Sequence, residues 1–233
     1  GITLSGADAG NYTVDTTVTA LADIVARAII ATLAANGKTY DGTTAATGTL
    51  SLSGMLASDQ VRVAGNLAFG DRNAGAGKTV AASGIALSGS DAGNYTVNGT
   101  AMDMAAIARL AITGTAAADS RVYDGTASTT GRITLNGVLA GDAVSAFASY
   151  AFADPNAGMG RTVSVNGLAL AGADAGNYSV SLSSNPVRAD ILRRSIAVAA
   201  DDLTKLYGQR DPALTWRIVS GSLAGGDAFA GAL

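Results

Sequence analysis

The segment Ser88-Gly89-Ser90-Asp91-Ala92-Gly93-Asn94-Tyr95-Thr96-Val97 occurs in three related copies along the chain. Its tyrosine, Tyr95, has counterparts at Tyr12 and Tyr178, and the two intervals between these tyrosines are equal in length. A fixed period of this kind is typical of tandem repeats, in which each copy folds as one small unit. The sequence therefore predicts an array of units rather than one large domain.

The period divides the 233 residues into four parts. Residues 1–26 match the C-terminal part of a repeat, and we expect them to be the end of a preceding one. Residues 27–109 and 110–192 are predicted to be complete repeats, and residues 193–233 to begin a different domain. A unit as long as one period can bury a modest core, although domains of this size have limited stability alone.

Short alternating segments between glycine-rich breaks predict an all-β fold. First strands are predicted at residues 28–32 and 111–115, and Val163 and Val165 alternate with polar residues within 161–170. We therefore expect a tandem array of small β-domains, each a β-sandwich or a β-grasp-like sheet, that forms an elongated rod. Only residues 20–33 are ambiguous between helix and strand.

Further motifs recur with the same period, so that each position has a counterpart exactly one repeat later. They include the tyrosine of Tyr-Asp-Gly at Tyr40 and Tyr123. The other recurring positions are Leu52, Gly54, Leu56, Asp59, Phe69, Asp71, Asn73, Gly75, Gly77, Thr79 and Val80. Their recurrence favours a structural role, because every copy needs its folding determinants.

In this interpretation the glycines allow positive φ at turns, while aspartates and asparagines cap turns through backbone N–H groups. Tyr40, Phe69 and Tyr95 are predicted to lie in the core of their own repeat. A glycine-flanked turn is predicted at Asp91–Asn94, launching the last strand of the repeat with Tyr95 buried. Its counterpart at residues 171–177 is predicted to be a tight turn or a single helical turn.

Calcium binding is an alternative interpretation of Asp71 and Asn73, and of Asp154 and Asn156, because oxygens at alternate positions are typical of calcium loops. The EF-hand pattern also needs a distal glutamate, which neither copy has. A glycine turn with an Asx cap explains the same residues. We therefore predict no catalytic, cofactor or metal site, with calcium at these four residues as the remaining alternative.

Two lysines of the first repeat, Lys38 and Lys78, are replaced by Arg121 and Arg161 in the second. Arginine cannot form a lysine–asparagine isopeptide bond, so such a cross-link is not expected in both repeats. These positions are instead predicted to hold a surface cation beside an aspartate.

The composition argues against several function classes. The chain has no cysteine and no histidine, its net charge is −3, and only 14% of its residues are charged. No basic patch for nucleic acid is expected.

General acid–base catalysis would depend on carboxylates, and the adjacent pair Asp201-Asp202 is predicted to lie in a solvated turn, so an enzyme is not expected. The apolar stretch at residues 26–35 is too short to span a bilayer, so no membrane insertion is expected.

The motifs resemble the YDG-type repeats of large bacterial surface proteins. Residues 38–43 and 121–126 read Lys/Arg-x-Tyr-Asp-Gly-Thr, residues 71–80 and 154–163 read Asp-x-Asn-x-Gly-x-Gly-Lys/Arg-Thr-Val, and Gly-Asn-Tyr follows near the end of each repeat. The Lys-Leu-Tyr-Gly and Asp-Pro-Ala-Leu-Thr-Trp segments beginning at Lys205 and Asp211 look like an MBG-type domain, which often follows such repeats.

The resemblance implies the stalk of a filamentous-haemagglutinin-like adhesin that is displayed on a Gram-negative bacterial surface, and it assigns no catalytic residues. It also implies export by a type V route with an outer-membrane secretion partner, and a role in adhesion or biofilm formation. Neighbouring repeats are the expected partners. The alternative is that the repeats themselves bind a host glycan or matrix ligand through tandem weak sites.

Overall fold

The structure is a computed structural model that describes residues 1–183 and 186–230. The chain divides into two compact units. Unit 1 comprises Gly1–Ala35, Thr47–Ala68 and Val80–Asp103. Unit 2 comprises Asn36–Ala46, Phe69–Thr79 and the described residues from Met104 onward. Two loops of the first predicted repeat therefore belong to the same compact unit as the second repeat.

The first predicted repeat is built from seven strands and one short 3₁₀ helix. The strands are β1 Arg27–Asn36, β2 Lys38–Thr39, β3 Thr47–Ser53, β4 Arg62–Phe69, β5 Gly75–Ser88, β6 Tyr95–Val97 and β7 Thr100–Ala108, with the 3₁₀ helix at Ala92–Asn94 between β5 and β6. They form sheets with the orders β3-β1-β6 and β2-β7-β5-β4. The pairs β1–β6 and β2–β7 are parallel.

The second repeat has eight strands in a closely similar order. They are β8 Leu110–Ala118, β9 Arg121–Val122, β10 Ser128–Thr129, β11 Gly131–Asn136, β12 Ser145–Phe152, β13 Gly158–Ala171, β14 Tyr178–Leu182 and β15 Val187–Leu192, with a 3₁₀ helix at Ala175–Asn177. One sheet has the order β11-β8-β14 and the other β10-β12-β13-β15-β9. The pairs β8–β14 and β9–β15 are parallel, whereas β13 is antiparallel to both β12 and β15.

The core of the second repeat draws side chains from both of its sheets. Ala116 on β8 packs with Tyr150 and Phe152 on β12, Val163 on β13 and Ile191 on β15. In unit 1 the buried side chains come from β1, β5 and β6. They are Ile29, Ala31, Val80, Ala82 and Tyr95. Burial of alternate residues on these strands is the main favourable contribution to folding.

The C-terminal residues add two strands, β16 Ala197–Ala200 and β17 Trp216–Ser220, which pair antiparallel. Residues 231–233 of the predicted final domain lie outside the described residues, as do residues 184–185 of the predicted second repeat. A 3₁₀ helix at Ala9–Asn11 repeats, near the N-terminus, the local structure found at Ala92–Asn94 and Ala175–Asn177. Within residues 1–183 and 186–230, no helix is long and apolar enough to cross a membrane.

The predicted all-β fold is confirmed, as are the first strands of both repeats. The segment at residues 171–177 contains a single helical turn, and the ambiguous stretch becomes a strand from Arg27 onward. One expectation is wrong. The strand that begins at the buried Tyr95 is not the last of its repeat, because β7 follows it and supplies the buried Ile107.

Candidate functional site

The corner at the start of β14 places a tyrosine against an aspartate. The hydroxyl of Tyr178 accepts a hydrogen bond from the Leu139 N–H at 3.1 Å and donates one to the Asp142 carboxylate at 2.5 Å. Asp142 is itself held by a tight turn, in which its N–H donates to the Leu139 carbonyl. Its side chain is only 3% exposed. The corner therefore presents a buried carboxylate in a fixed position.

A second carboxylate, Asp174, lies beside the first. The Ala143 N–H donates to Asp174 Oδ2 at 2.9 Å, and the Asp174 N–H donates back to the Ala143 carbonyl at 3.3 Å. This close approach requires Gly172, whose φ is +118° and on which a Cβ atom would lie 2.1 Å from the Ala143 oxygen. Gly89 occupies the same situation in unit 1.

The Tyr-Asp-Gly tyrosine of the first repeat contacts this corner of the second. The N–H of Tyr40 donates to the Ala108 carbonyl, which continues the parallel β2–β7 pairing. Its hydroxyl donates to Asp142 Oδ2 at 2.9 Å. Its ring packs edge-on against Tyr178, with centroids 5.5 Å apart. Both tyrosine rings are buried, and all of these residues belong to unit 2.

The loop between β4 and β5 makes the remaining contacts. Arg72 bridges the two carboxylates, with Nη1 3.2 Å from Asp142 and Nη2 2.7 Å from Asp174. The Asn177 side chain accepts a hydrogen bond from the Ala74 N–H at 2.8 Å and donates one to Asn73 at 3.3 Å. Asn177 is 4% exposed, and its amide is satisfied by these contacts.

The junction has two parts, the docking loops and the receiving corner. The docking loops are Tyr40, Arg72, Asn73 and Ala74, and the receiving corner is Leu139, Asp142, Asp174, Asn177 and Tyr178. The arrangement joins two repeats through buried polar groups whose hydrogen bonds are mutually satisfied. The geometry therefore holds the docking loops of the first repeat against the receiving corner of the second, within unit 2.

The charges of the junction shift the acidity of its side chains. The hydrogen bond from Tyr178 is the largest cause that holds the pKa of Asp142 below its ordinary value, and the bond from Tyr40 acts in the same direction. Burial and the hydrogen bond to Asp142 raise the pKa of Tyr40 to about 12. The pKa of Tyr178 is raised for the same two reasons. All three shifts favour an ionised Asp142 that accepts hydrogen bonds from two neutral phenols.

These shifts predict how the stability of unit 2 depends on pH. The folded pKa of Asp142 is depressed, so its contribution is present above the unfolded value of 3.8 and is lost as the pH falls further. The folded pKa of Tyr40 is raised, so its contribution is present below 10 and is lost as the pH rises through about 12. Ultraviolet titration of tyrosine should show more than one late-titrating group, since the pKa of Tyr178 is raised as well, and Tyr40→Phe should remove the group that titrates near pH 12. Asp142→Asn should lower the pKa of that tyrosine. An unchanged titration curve would contradict the assignment of this group to Tyr40.

The second repeat and the C-terminal residues form a related but weaker contact. The Tyr123 hydroxyl donates to Asp227 at 3.3 Å, and the Asp227 N–H closes a turn onto Ala224, as the Asp142 N–H does onto Leu139. Pro155 stands where the first repeat has Arg72, so this contact has no counterpart of the arginine bridge. A cavity of about 340 Å³ remains between these segments.

The four residues considered for calcium occupy Asx turns. Asp71 accepts the Asn73 N–H and is paired with Lys78 at 2.6 Å. Asp154 accepts the Asn156 N–H and is paired with Arg161. Among the described residues, no group of three or more carboxylates, histidines or cysteines is placed to hold a metal. Calcium at these turns stays a hypothesis, in which the ion would have to displace a paired cation.

The predicted pairing of cations with aspartates is confirmed in both repeats. Lys38 lies 2.7 Å from Asp41, and Arg121 is paired with Asp124 at the same position of the second repeat. The hydrogen bond from the paired cation is the main cause that lowers the pKa of Asp41 and of Asp124 to about 2. These ion pairs brace the Tyr-Asp-Gly turn that presents the docking tyrosine.

Sequence reasoning identified the recurring residues but missed the contact between repeats. Tyr40 is buried, as predicted, yet its hydroxyl bonds to Asp142 of the following repeat. Arg72 was not singled out, because Pro155 replaces it in the next copy. The sequence does contain a signal for this contact. Tyr-Asp-Gly and Leu-Ala-x-Asp recur together, so that each repeat contains both a tyrosine and an aspartate of the kind that meet at the junction.

Comparison with known proteins identifies the repeats. The family model described as YDG domain matches residues 25–102 and again residues 107–186. No curated protein and no solved structure matches the chain.

Proposed function

The chain belongs to the YDG domain family, and we propose that it is a non-catalytic structural spacer of a bacterial surface adhesin. The observation that carries the proposal is the junction in which Tyr40 and Arg72 of one repeat bond to Asp142 of the next. A spacer has to fix each repeat relative to its neighbour, and the hydrogen bonds that the docking loops make to the buried Asp142 and Asn177 support this role.

The short connection between the two repeats also supports the proposal. Only Arg109 separates the end of β7 from the start of β8. A single connecting residue, together with the buried contacts of Tyr40 and Asn177, leaves few conformations for the junction. Arrays of this kind gain stability from each unit and from each interface between neighbours. We infer that a longer series of such repeats forms a semi-rigid, elongated rod.

The wider context of the proposal follows from the resemblance of the motifs. Residues 193–233 would begin an MBG-type domain, and the whole would be part of a filamentous-haemagglutinin-like adhesin. Such a protein would be exported by a type V route through an outer-membrane partner and would act at the cell surface in adhesion or biofilm formation. The support for this context is the order of the Tyr-Asp-Gly, Asp-x-Asn-x-Gly and Lys-Leu-Tyr-Gly motifs.

The spacer function predicts how dimensions change with repeat number. Chains with one and two additional copies of residues 27–109, inserted after Arg109, should increase in maximum dimension by equal increments in small-angle X-ray scattering. Each copy brings its own docking loops, so each increment should be that of one rigid repeat. Increments that shrink with each added copy would indicate flexible joints and contradict the proposal.

A glycan array separates this function from direct ligand binding. The spacer proposal expects no binding by the chain and none by its extended forms. Binding that strengthens with repeat number would favour the alternative, because tandem weak sites gain affinity through avidity.

A further inference from the structure

Unit 1 contains a second receiving corner, made of the residues that correspond to the first. They are Leu56, Asp59, Asp91, Asn94 and Tyr95, each one repeat before its counterpart. The Tyr95 hydroxyl accepts the Leu56 N–H at 3.1 Å and donates to Asp59 at 2.5 Å. Asp91 accepts the Gln60 N–H at 2.8 Å. The hydrogen bonds within this corner match those around Tyr178 and Asp142.

The two corners differ in what covers them. Asn177 is buried under the docking loops, whereas its counterpart Asn94 is exposed. Leu56 is 52% exposed, whereas Leu139 is half-buried beside Gly42. A cavity of about 240 Å³ lies at the corner of unit 1, lined in part by Leu56, Asp59 and Tyr95. The corner of unit 1 is therefore formed and uncovered.

The residues that precede β1 indicate what would cover it. Ile24 is fully exposed, whereas its counterpart Ile107 is 2% exposed in the core of a complete repeat. Tyr12 is likewise exposed, although Tyr95 and Tyr178 are buried. These side chains have the sequence of a repeat's last strands but are exposed in this structure. The spacing from Tyr12 to Arg27 also equals the spacing from Tyr95 to Leu110 across the filled junction.

We propose that the receiving corner of unit 1 is a docking site for the Tyr-Asp-Gly and Asp-x-Asn loops of another YDG repeat that precedes Arg27 in the same polypeptide. The phenol of that repeat would donate to Asp59 and pack edge-on against Tyr95, as Tyr40 does at Asp142 and Tyr178. Its asparagine loop would cover Asn94. The inference rests on the proposed spacer function, because it extends the same junction by one repeat.

The test uses a chain in which residues 1–109 are followed directly by residues 27–233. In this chain the first copy of residues 27–109 keeps an open corner, and the second copy has docking loops in front of it. Segmental isotope labelling distinguishes the copies in nuclear magnetic resonance. The Leu56 amide of the second copy should exchange roughly tenfold more slowly than that of the first, because opening must also break the junction.

Matched variants make the result specific. Asp59→Asn in the second copy alone should abolish the difference, and the same substitution in the first copy should not. Equal exchange of the two Leu56 amides would overturn the inference. The Leu139 amide reports the established junction in the same molecule: if it stays protected while the Leu56 amides are equal, only the further inference fails. If Leu139 is also unprotected, the spacer function fails as well.

A second experiment tests the same inference if the longer chain does not fold. Asp142→Lys in the unextended chain places a cation against Arg72 and releases the docking loops. The free corner of a second molecule should then bind them, giving concentration-dependent oligomers in sedimentation analysis. Adding Asp59→Lys should restore monomers. Oligomers that survive Asp59→Lys, or a folded Asp142→Lys chain that stays monomeric, would overturn the inference.

Discussion

Replacing Tyr178 with alanine is expected to lower the free energy of unfolding of unit 2 by about 3–5 kcal/mol, the cost typical of truncating a buried aromatic side chain. Tyr178 is 2% exposed, and its ring packs edge-on against Tyr40. Its hydroxyl also joins the Leu139 N–H to the Asp142 carboxylate. The substitution therefore removes packing and takes one hydrogen-bond partner away from each of these two polar groups.

Chemical denaturation followed by circular dichroism measures this effect. Tyr178→Phe keeps the ring and removes only the hydroxyl, so it should cost clearly less than alanine. Tyr95→Ala is the matched control, because Tyr95 makes the same contacts in an uncovered corner. A Tyr178→Ala chain as stable as the Tyr178→Phe chain would show that the ring is not part of the core.

Replacing Asp142 with alanine is expected to lower the melting temperature by about 5–10 °C, because three partners lose their acceptor at once. The partners are the hydroxyls of Tyr40 and Tyr178 and the guanidinium of Arg72. Calorimetry on the full chain measures the shift. Asp59→Ala, which removes the same carboxylate from the uncovered corner, should cause a smaller shift. Equal shifts would mean that the docking loops contribute nothing to stability.

The fold was largely predictable because it depends on local patterns. Alternation of Val163 with polar residues fixes which face of β13 is buried, and the constant interval between the copies of the Gly-Asn-Tyr motif fixes the repeat unit. The order of strands in the sheets was not predictable. The parallel pairing of β8 with β14 joins segments that are distant in sequence, and alternation alone does not specify which strands meet.

The junction was only partly predictable, for a related physical reason. Burial of Tyr40 follows from its recurrence and its aromatic ring, but burial alone does not show which repeat supplies the surrounding atoms. The sequence predicted only that Asp142, like the other recurring aspartates, caps a turn, since aspartates are common in turns and are rarely buried unless paired. The pairing partner, Arg72, does not recur in the second repeat and therefore gave no signal.

The Tyr-Asp-Gly tyrosine of one repeat is bonded to the aspartate of the next, and the spacer proposal depends on this contact. A double-mutant cycle with Tyr40→Phe and Asp142→Asn tests it most directly, since the two residues lie 102 positions apart and share a 2.9 Å hydrogen bond. The claim predicts that the losses in free energy of unfolding are not additive, with the double variant less destabilised than the sum of the single ones. Strictly additive losses would contradict it.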